Sequence, residues 1–265
     1  MYSLVKIATK YIRYFFTACN GRGHGVHSPF VFDFIKNVLN DKRQFYAYTT
    51  VEDIRKQLIT NETMLTIQDF GAGSTLVKGD QRKVSSIARA SLKPAKYGQL
   101  LFRIVNYYHC KHIVELGTSL GVTTAYLASP SMQNQVVTFE GAEEVAALAR
   151  KNFEALQLTN IELVQGNFDE TLQARLLQLP AVDLAFIDGN HRREPTERYF
   201  EQLLQKANEH SIFIFDDIHW SPEMEAAWKT ICGHPAVTLT IDLFFIGIVF
   251  CRKEQKHVQH FTVRF

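Results

Sequence analysis

The sequence predicts an α/β protein, with one mostly parallel sheet of seven strands, helices on both faces, and a helical appendage in front. Three observations carry this. From residue 112 onward, short β-rich runs alternate with helical patterns, and such alternation demands right-handed crossovers between parallel strands. The last two strand-like runs, AVTLTID and FFIGIVFC, have almost nothing between them, so they must pair as an antiparallel hairpin at the sheet edge. The first hundred residues read as helices and loops. The expected division is 1–95 for the appendage, on the acceptor side or in oligomerisation, and 96–265 for the sheet domain.

Taken in order, residues 1–18 read as an amphipathic helix, with Leu4, Ala8, Tyr11 and Phe15 on one face and Lys6, Lys10 and Arg13 on the opposite one. The first acid is Asp33. A basic, acid-free leader suits a docking or homodimer helix, with contact to a membrane surface as the alternative. Next comes a glycine-rich loop in which His24 and His27 are plain loop residues, and then Ser28-Pro29, where Ser28 can cap and Pro29 can open a helix reaching about Leu39. Residues 51–60 form another short helical pattern, and 64–82 read as irregular. Val84 to Leu92 and Tyr97 to His109 are helical patterns that Pro94 separates. The alternation then runs HIVEL, VTTAYLA; VVTFE, AEEVAALARKNFEAL; IELVQ, ETLQARLLQL; VDLAFID, PTERYFEQLLQKA; SIFIFDD, PEMEAAWKTI. After the hairpin, QHFTVRF adds a last short strand or a docked tail.

Composition narrows the function classes. Hydrophobic residues at 46% and charged residues at 21% exclude a disordered, collagen-like or coiled-coil chain. Twenty-nine basic against 27 acidic side chains give a net charge of +2, so no nucleic-acid partner is expected. Cys19, Cys110, Cys232 and Cys251 form no Cys-x-x-Cys pair, which fits a reducing cytoplasm better than a disulfide framework or a zinc ribbon. The apolar run Leu243 to Cys251 is too short to span a bilayer, and no cleavage site follows the N-terminal apolar residues. The expectation is a soluble, cytoplasmic protein with no transmembrane segment.

The sharpest motif is Glu115-Leu116-Gly117-Thr118-Ser119-Leu120-Gly121, where the first strand of the alternation turns into its helix. Glycines there let a ligand approach the backbone, and the helix start supplies unpaired N–H donors. A second glycine turn, Asp69 to Ser74, leads into a polar stretch and lacks that context. Glu140 ends the next strand, where a carboxylate can accept from both ribose hydroxyls. The spacing Gly117-x-x-x-Gly121 departs from the tighter dinucleotide fingerprint and points to another adenosyl ligand.

With Gly166-Asn167-Phe168 after the third strand, FIDGNH at the fourth and FDDIHW at the fifth, the chain resembles the Rossmann-like class I S-adenosylmethionine-dependent methyltransferases over roughly residues 95–251. The nearest group is the catechol and caffeoyl-CoA O-methyltransferases and their bacterial relatives. The resemblance implies that Glu115, Gly117, Ser119, Gly121 and Thr123 surround the methionine part of S-adenosylmethionine, that Glu140 holds the ribose, and that Asn167 and Phe168 flank the adenine. Lys96-Tyr97-Gly98-Gln99 resembles, more loosely, the family segment that closes over the site. It further implies a divalent cation, Mg²⁺ or else Ca²⁺ or Mn²⁺, on Asp188, Asp216 and Asp217, with the cofactor's amino group as the alternative role for Asp188.

Two departures stand out. The acidic pair is Asp-Asp where the group has Asp-Asn, and a histidine, His191, stands where the group has a lysine. His191 is a candidate general base for an acceptor hydroxyl, paired with Asp188, and a structural histidine otherwise. His219 and Trp220 are expected beside the acceptor. The expected function is O-methylation of a small hydroxylated acceptor, catechol-like or phenolic. The alternatives are an RNA or protein methyltransferase, or a non-catalytic adenosyl-ligand-binding protein.

Overall fold

A computed structural model describes residues 1–23, 25–67, 80–255 and 257–265. The glycine turn Asp69 to Ser74 and His24 lie outside the described residues. Ser3 caps α1 (Leu4–Thr17) by accepting from the Lys6 N–H, and Ser28 caps α2 (Pro29–Phe34), which opens on Pro29 as the sequence predicts and runs into one π turn, Ile35–Leu39. The helix expected over 51–60 starts five residues earlier, as α3 (Tyr46–Thr60).

The stretch expected to be irregular holds β1 (Met64–Ile67) and β2 (Asp80–Lys83), an antiparallel pair. Every residue of β2 is polar, so no alternation of apolar and polar residues marked it. Helices α4 (Val84–Ser91) and α5 (Ala95–Tyr108) follow, broken at Pro94.

The alternation then unfolds as read. It gives β3 (His112–Leu116), α6 (Val122–Ala128), β4 (Gln135–Glu140), α7 (Glu143–Ala155), β5 (Ile161–Gln165) and α8 (Phe168–Gln178). It continues with β6 (Val182–Ile187), α9 (Arg193–Leu204), β7 (Ala207–Asp216) and α10 (Pro222–Cys232). The hairpin is β8 (Leu239–Asp242) and β9 (Ile246–Phe250), antiparallel to each other, with β9 also antiparallel to β7. The tail forms β10 (Gln259–Thr262), parallel to β8, so the sheet has eight strands where seven were expected. Only four residues long and partly polar, β10 carried too weak a pattern to separate a strand from a docked tail.

The chain divides into two compact units, 42–179 and 1–41 with 180–265. The first contributes the parallel run β3-β4-β5 to the sheet, and the second contributes the run β10-β8-β9-β7-β6. Within 42–179, Tyr48, Phe102 and Tyr126 pack edge to face and bring α3, α5 and α6 together in one apolar cluster. Each such ring pair contributes on the order of 1 kcal/mol beyond its buried area. Gly98 on α5 lies against the Tyr126 ring, so KYGQ is a helical packing site in this structure. Within the other unit, Phe200 on α9 packs edge to face on Phe213 and Phe215 of β7.

Candidate functional site

The unit 42–179 brings three strand ends into line, because Leu116 pairs with Phe139 and Glu140 pairs with Gln165 in register. Across these ends lie the turn 115–121, Glu140 and Gly166-Asn167-Phe168. Gly117 has φ 104° and Gly121 φ 80°, backbone conformations that side chains avoid, and a Cβ on Gly121 would stand 2.5 Å from the Phe153 ring. The chain reverses because the N–H groups of Gly117 and Thr118 both donate to the Phe139 carbonyl. Ser119, itself at φ 48°, donates its N–H to Glu140 Oε2 at 2.8 Å, and the Ala142 N–H donates to Oε1 at 2.9 Å. Glu140 therefore fixes the turn and remains half-buried at the rim.

Glu115 has no exposed surface, which sets it beneath the turn. Its Oε2 accepts from Thr124 Oγ1 and from Thr138 Oγ1, while Oε1 is buried with no hydrogen-bond partner among the described residues. Burial pushes the carboxyl up to about 7, the two threonines pull against it, and the Glu140 charge adds to the rise. Thr124 and Thr138 were not singled out in the sequence. Thr138 sits directly opposite Glu115 in the β3–β4 register, so a polar residue facing an acid across two apolar strands was the available signal. Thr123 stands half-buried in the first turn of α6. Asn167 caps α8 by accepting from the Asp169 N–H, and Phe168 meets Phe139 edge to face.

In the other unit, Asp188 follows β6, and His191 Nε2 stands 3.6 Å from its Oδ1, near enough for charge interaction and too far for a direct hydrogen bond. Asn190 between them has φ 63° and donates to the Tyr199 hydroxyl. Asp216 ends β7 with no exposed surface, whereas Asp217 has φ 54°, is half-buried, and donates its N–H to the Phe245 carbonyl. Among the described residues, no group of three His, Cys, Asp or Glu stands close enough to hold a metal ion, so the expected three-carboxylate cup is not found. Asp216 is the last residue of β7 and buried, while Asp217 lies just beyond it in the left-handed region.

His219 is bracketed by two acids, with Nδ1 3.0 Å from Glu225 Oε1 and Nε2 2.8 Å from Asp242 Oδ2. Burial lowers its pKa, but the hydrogen bonds and charges of Asp242 and Glu225 outweigh that and leave it raised. Glu225 in turn accepts from Tyr2 and Lys10, and the Trp220 carbonyl accepts from the Tyr2 N–H, so this histidine anchors the N-terminal helix. Ser221 caps α10 by accepting from the Met224 N–H, and Pro222 opens it. Asp217, His219 and Trp220 share a small cavity with Ile7, Phe244 and Phe245.

Comparison with known proteins agrees with this geometry. Residues 114–218 match the family model of a methyltransferase domain. A catechol O-methyltransferase of Niastella koreensis is 26% identical over 124 residues, which is 46% of this chain and 55% of that enzyme, so the chain spans about half the length of this curated relative. Among solved structures, an O-methyltransferase from Bacillus cereus in complex with S-adenosylhomocysteine superposes with a TM-score of 0.57 at 20% identity, covering 83% of this chain and 96% of that one. A Podospora anserina methyltransferase, also bound to S-adenosylhomocysteine, gives 0.59 at 12% identity over 85% and 97%. No described helix is long and apolar enough to cross a membrane. In sequence across residues 114–218, and in fold across most of its length, the chain is similar to class I S-adenosylmethionine-dependent methyltransferases of the O-methyltransferase type.

Proposed function

We propose that the chain is an S-adenosylmethionine-dependent O-methyltransferase acting in the reducing cytoplasm on a small hydroxylated acceptor, catechol-like or phenolic. The observation that carries the reading is the alignment of the Gly117 turn, Glu140 and Asn167-Phe168 at three neighbouring strand ends, the rim where an open parallel sheet binds ligands. Gly117 keeps the backbone bare where the methionine part would lie. Glu140 holds the ribose hydroxyls, and Asn167 and Phe168 border the adenine.

S-adenosylmethionine supplies a methyl on a sulfonium sulfur, which an acceptor oxygen takes in one in-line displacement as the S–CH₃ bond breaks and the O–CH₃ bond forms. The chain's part is alignment and removal of the hydroxyl proton. His191 is the candidate base, with the Asp188 carboxylate 3.6 Å from its Nε2. No step is routed through a cation, because the three aspartates do not gather as one donor set.

Titration calorimetry with S-adenosylhomocysteine, followed by transfer of labelled methyl to a panel of catechols, phenols and sugars in magnesium or in chelator, tests this. Binding of one ligand per chain, methylation of a hydroxyl, equal rates in both buffers and a loss of about a hundredfold in kcat for His191→Ala with unchanged cofactor affinity are expected. Absence of binding overturns the cofactor assignment. Turnover only with magnesium overturns the metal-free step, and transfer only to RNA or protein overturns the acceptor class.

A further inference from the structure

Helix α1 has three faces, and the fold uses only two of them. Ile7, Tyr11, Tyr14 and Ala18 pack on Phe244 and Phe245, and Lys10 pairs with Glu225 at 2.7 Å. The third face, made of Leu4, Val5, Ala8, Ile12, Phe15 and Phe16, is exposed, with Leu4 82% and Val5 and Phe16 each 77% accessible. At the 3.6-residue period of an α-helix these six share an arc of about 120°. Lys6 and Arg13 flank that arc on the side away from the docked face, and both are exposed.

A contiguous apolar stripe with two phenylalanines, exposed apart from the Arg264 guanidinium 4.9 Å over the Phe15 ring, needs an occupant. Charge selects it. Residues 1–32 contain no acid, and among the described ones Lys6, Lys10, Arg13 and Arg22 are basic. A second copy joined antiparallel about a two-fold axis through this stripe would bring Lys6 and Arg13 to the same side as their own counterparts, with no carboxylate on the segment to offset them. An anionic lipid surface instead receives the apolar stripe among its acyl chains and the flanking cations among its headgroups.

We propose that α1 is an interfacial membrane-docking helix that carries this protein onto anionic lipid surfaces, with Leu4, Val5, Ile12, Phe15 and Phe16 inserted and Lys6 and Arg13 at the headgroups. The docking holds whether or not the methyl-transfer reading does, since it uses none of the residues assigned to cofactor or acceptor.

The test is sedimentation of the intact chain with vesicles of phosphatidylcholine alone and of phosphatidylcholine with one quarter phosphatidylserine, beside light scattering for oligomeric state. Expected is at least tenfold stronger partitioning to the anionic vesicles, weakened about tenfold by raised salt or by Lys6→Ser with Arg13→Ser, and abolished by Ile12→Asp with Phe16→Asp. Unchanged affinity for S-adenosylhomocysteine in each variant certifies the fold, and the two-serine variant leaves the apolar stripe intact should the aspartates disturb the helix. Equal binding to both vesicle types, or none, overturns the proposal. A dimer that ignores vesicles and dissociates in the Ile12→Asp, Phe16→Asp variant assigns the stripe to a second copy instead.

Discussion

Glu115 and His219 are both charged-type groups bracketed by partners near the end of a central strand, but they are held by very different stretches of chain. Glu115 is held by Thr124 and Thr138, nine and 23 residues away, inside a pattern of strand, turn and helix. His219 is held by Asp242 and by Glu225, and Glu225 is tied to Tyr2 and Lys10, 223 and 215 residues away. The first environment is local and follows from register. The second is local in its two acids, six and 23 residues away, and draws on the distant N-terminal helix only through the ties of Glu225 to Tyr2 and Lys10. Local chemistry was therefore readable one residue at a time, and distant chemistry was not.

The largest expected effect breaks the local side. Gly117→Val puts a β-branched side chain at φ 104°, which valine does not adopt without strain, and moves the turn that Glu140 holds. Affinity for S-adenosylhomocysteine, measured by calorimetry, should fall by more than a hundredfold while the circular dichroism stays that of the wild type. Unchanged affinity would remove the turn from the site.

A smaller effect sharpens the local side through pH. Glu115 folds with a carboxyl raised to about 7 from an ordinary 4.5, so the folded state holds its proton after the unfolded state has lost it. Stability attributable to Glu115 is full below pH 4.5 and is lost as pH rises to 7, by up to about 3 kcal/mol. Urea denaturation of the free protein should show this decline relative to Glu115→Gln between pH 4.5 and 7, and parallel profiles for the two proteins would show that Glu115 titrates normally.

The smallest effect falls on the distant side. His219 has a pKa raised above 6.5, so its stabilisation is fully present below that value and is lost as pH rises through the raised one. Wild type and His219→Gln should converge in stability above this window, and a gap that stays constant as pH rises above 6.5 would show that the acids on either side hold the ring without its charge.

The same contrast explains how much was legible. The strand-helix alternation, the hairpin and the cap at Ser28-Pro29 were, because each is set by period or by a residue's own backbone preference. Residues 115–121 and Glu140 were too, since positive-φ glycines and a strand-end acid need only neighbours. The pair β1 and β2 was hidden by the charge of DQRK, and β10 by its brevity. FDDIHW was read only in part, for a different reason. It shows two acids side by side, but among the described residues they gather with no third ligand, and His219 meets Asp242 and Glu225, partners its own neighbourhood in sequence did not name.

The closing hairpin has a consequence for the birth of the protein. Phe244 sits in the left-handed region at φ 71°, a costly place for an aromatic residue, and is held there by Asp242, which accepts its N–H at 2.7 Å, and by the rings of Tyr11 and Tyr14. Tyr14 also donates to the carbonyl of Val263, and Cys19 bridges the same residue. Helix α1 is thus made well before its lasting partners, with Tyr14 and Val263 249 residues apart. At ordinary synthesis rates it waits roughly 10 to 50 seconds for them with its aromatic face uncovered. During that interval the nascent chain must be shielded by a chaperone or rest against some other apolar surface, and the unit 42–179, whose residues are contiguous, has time to fold first.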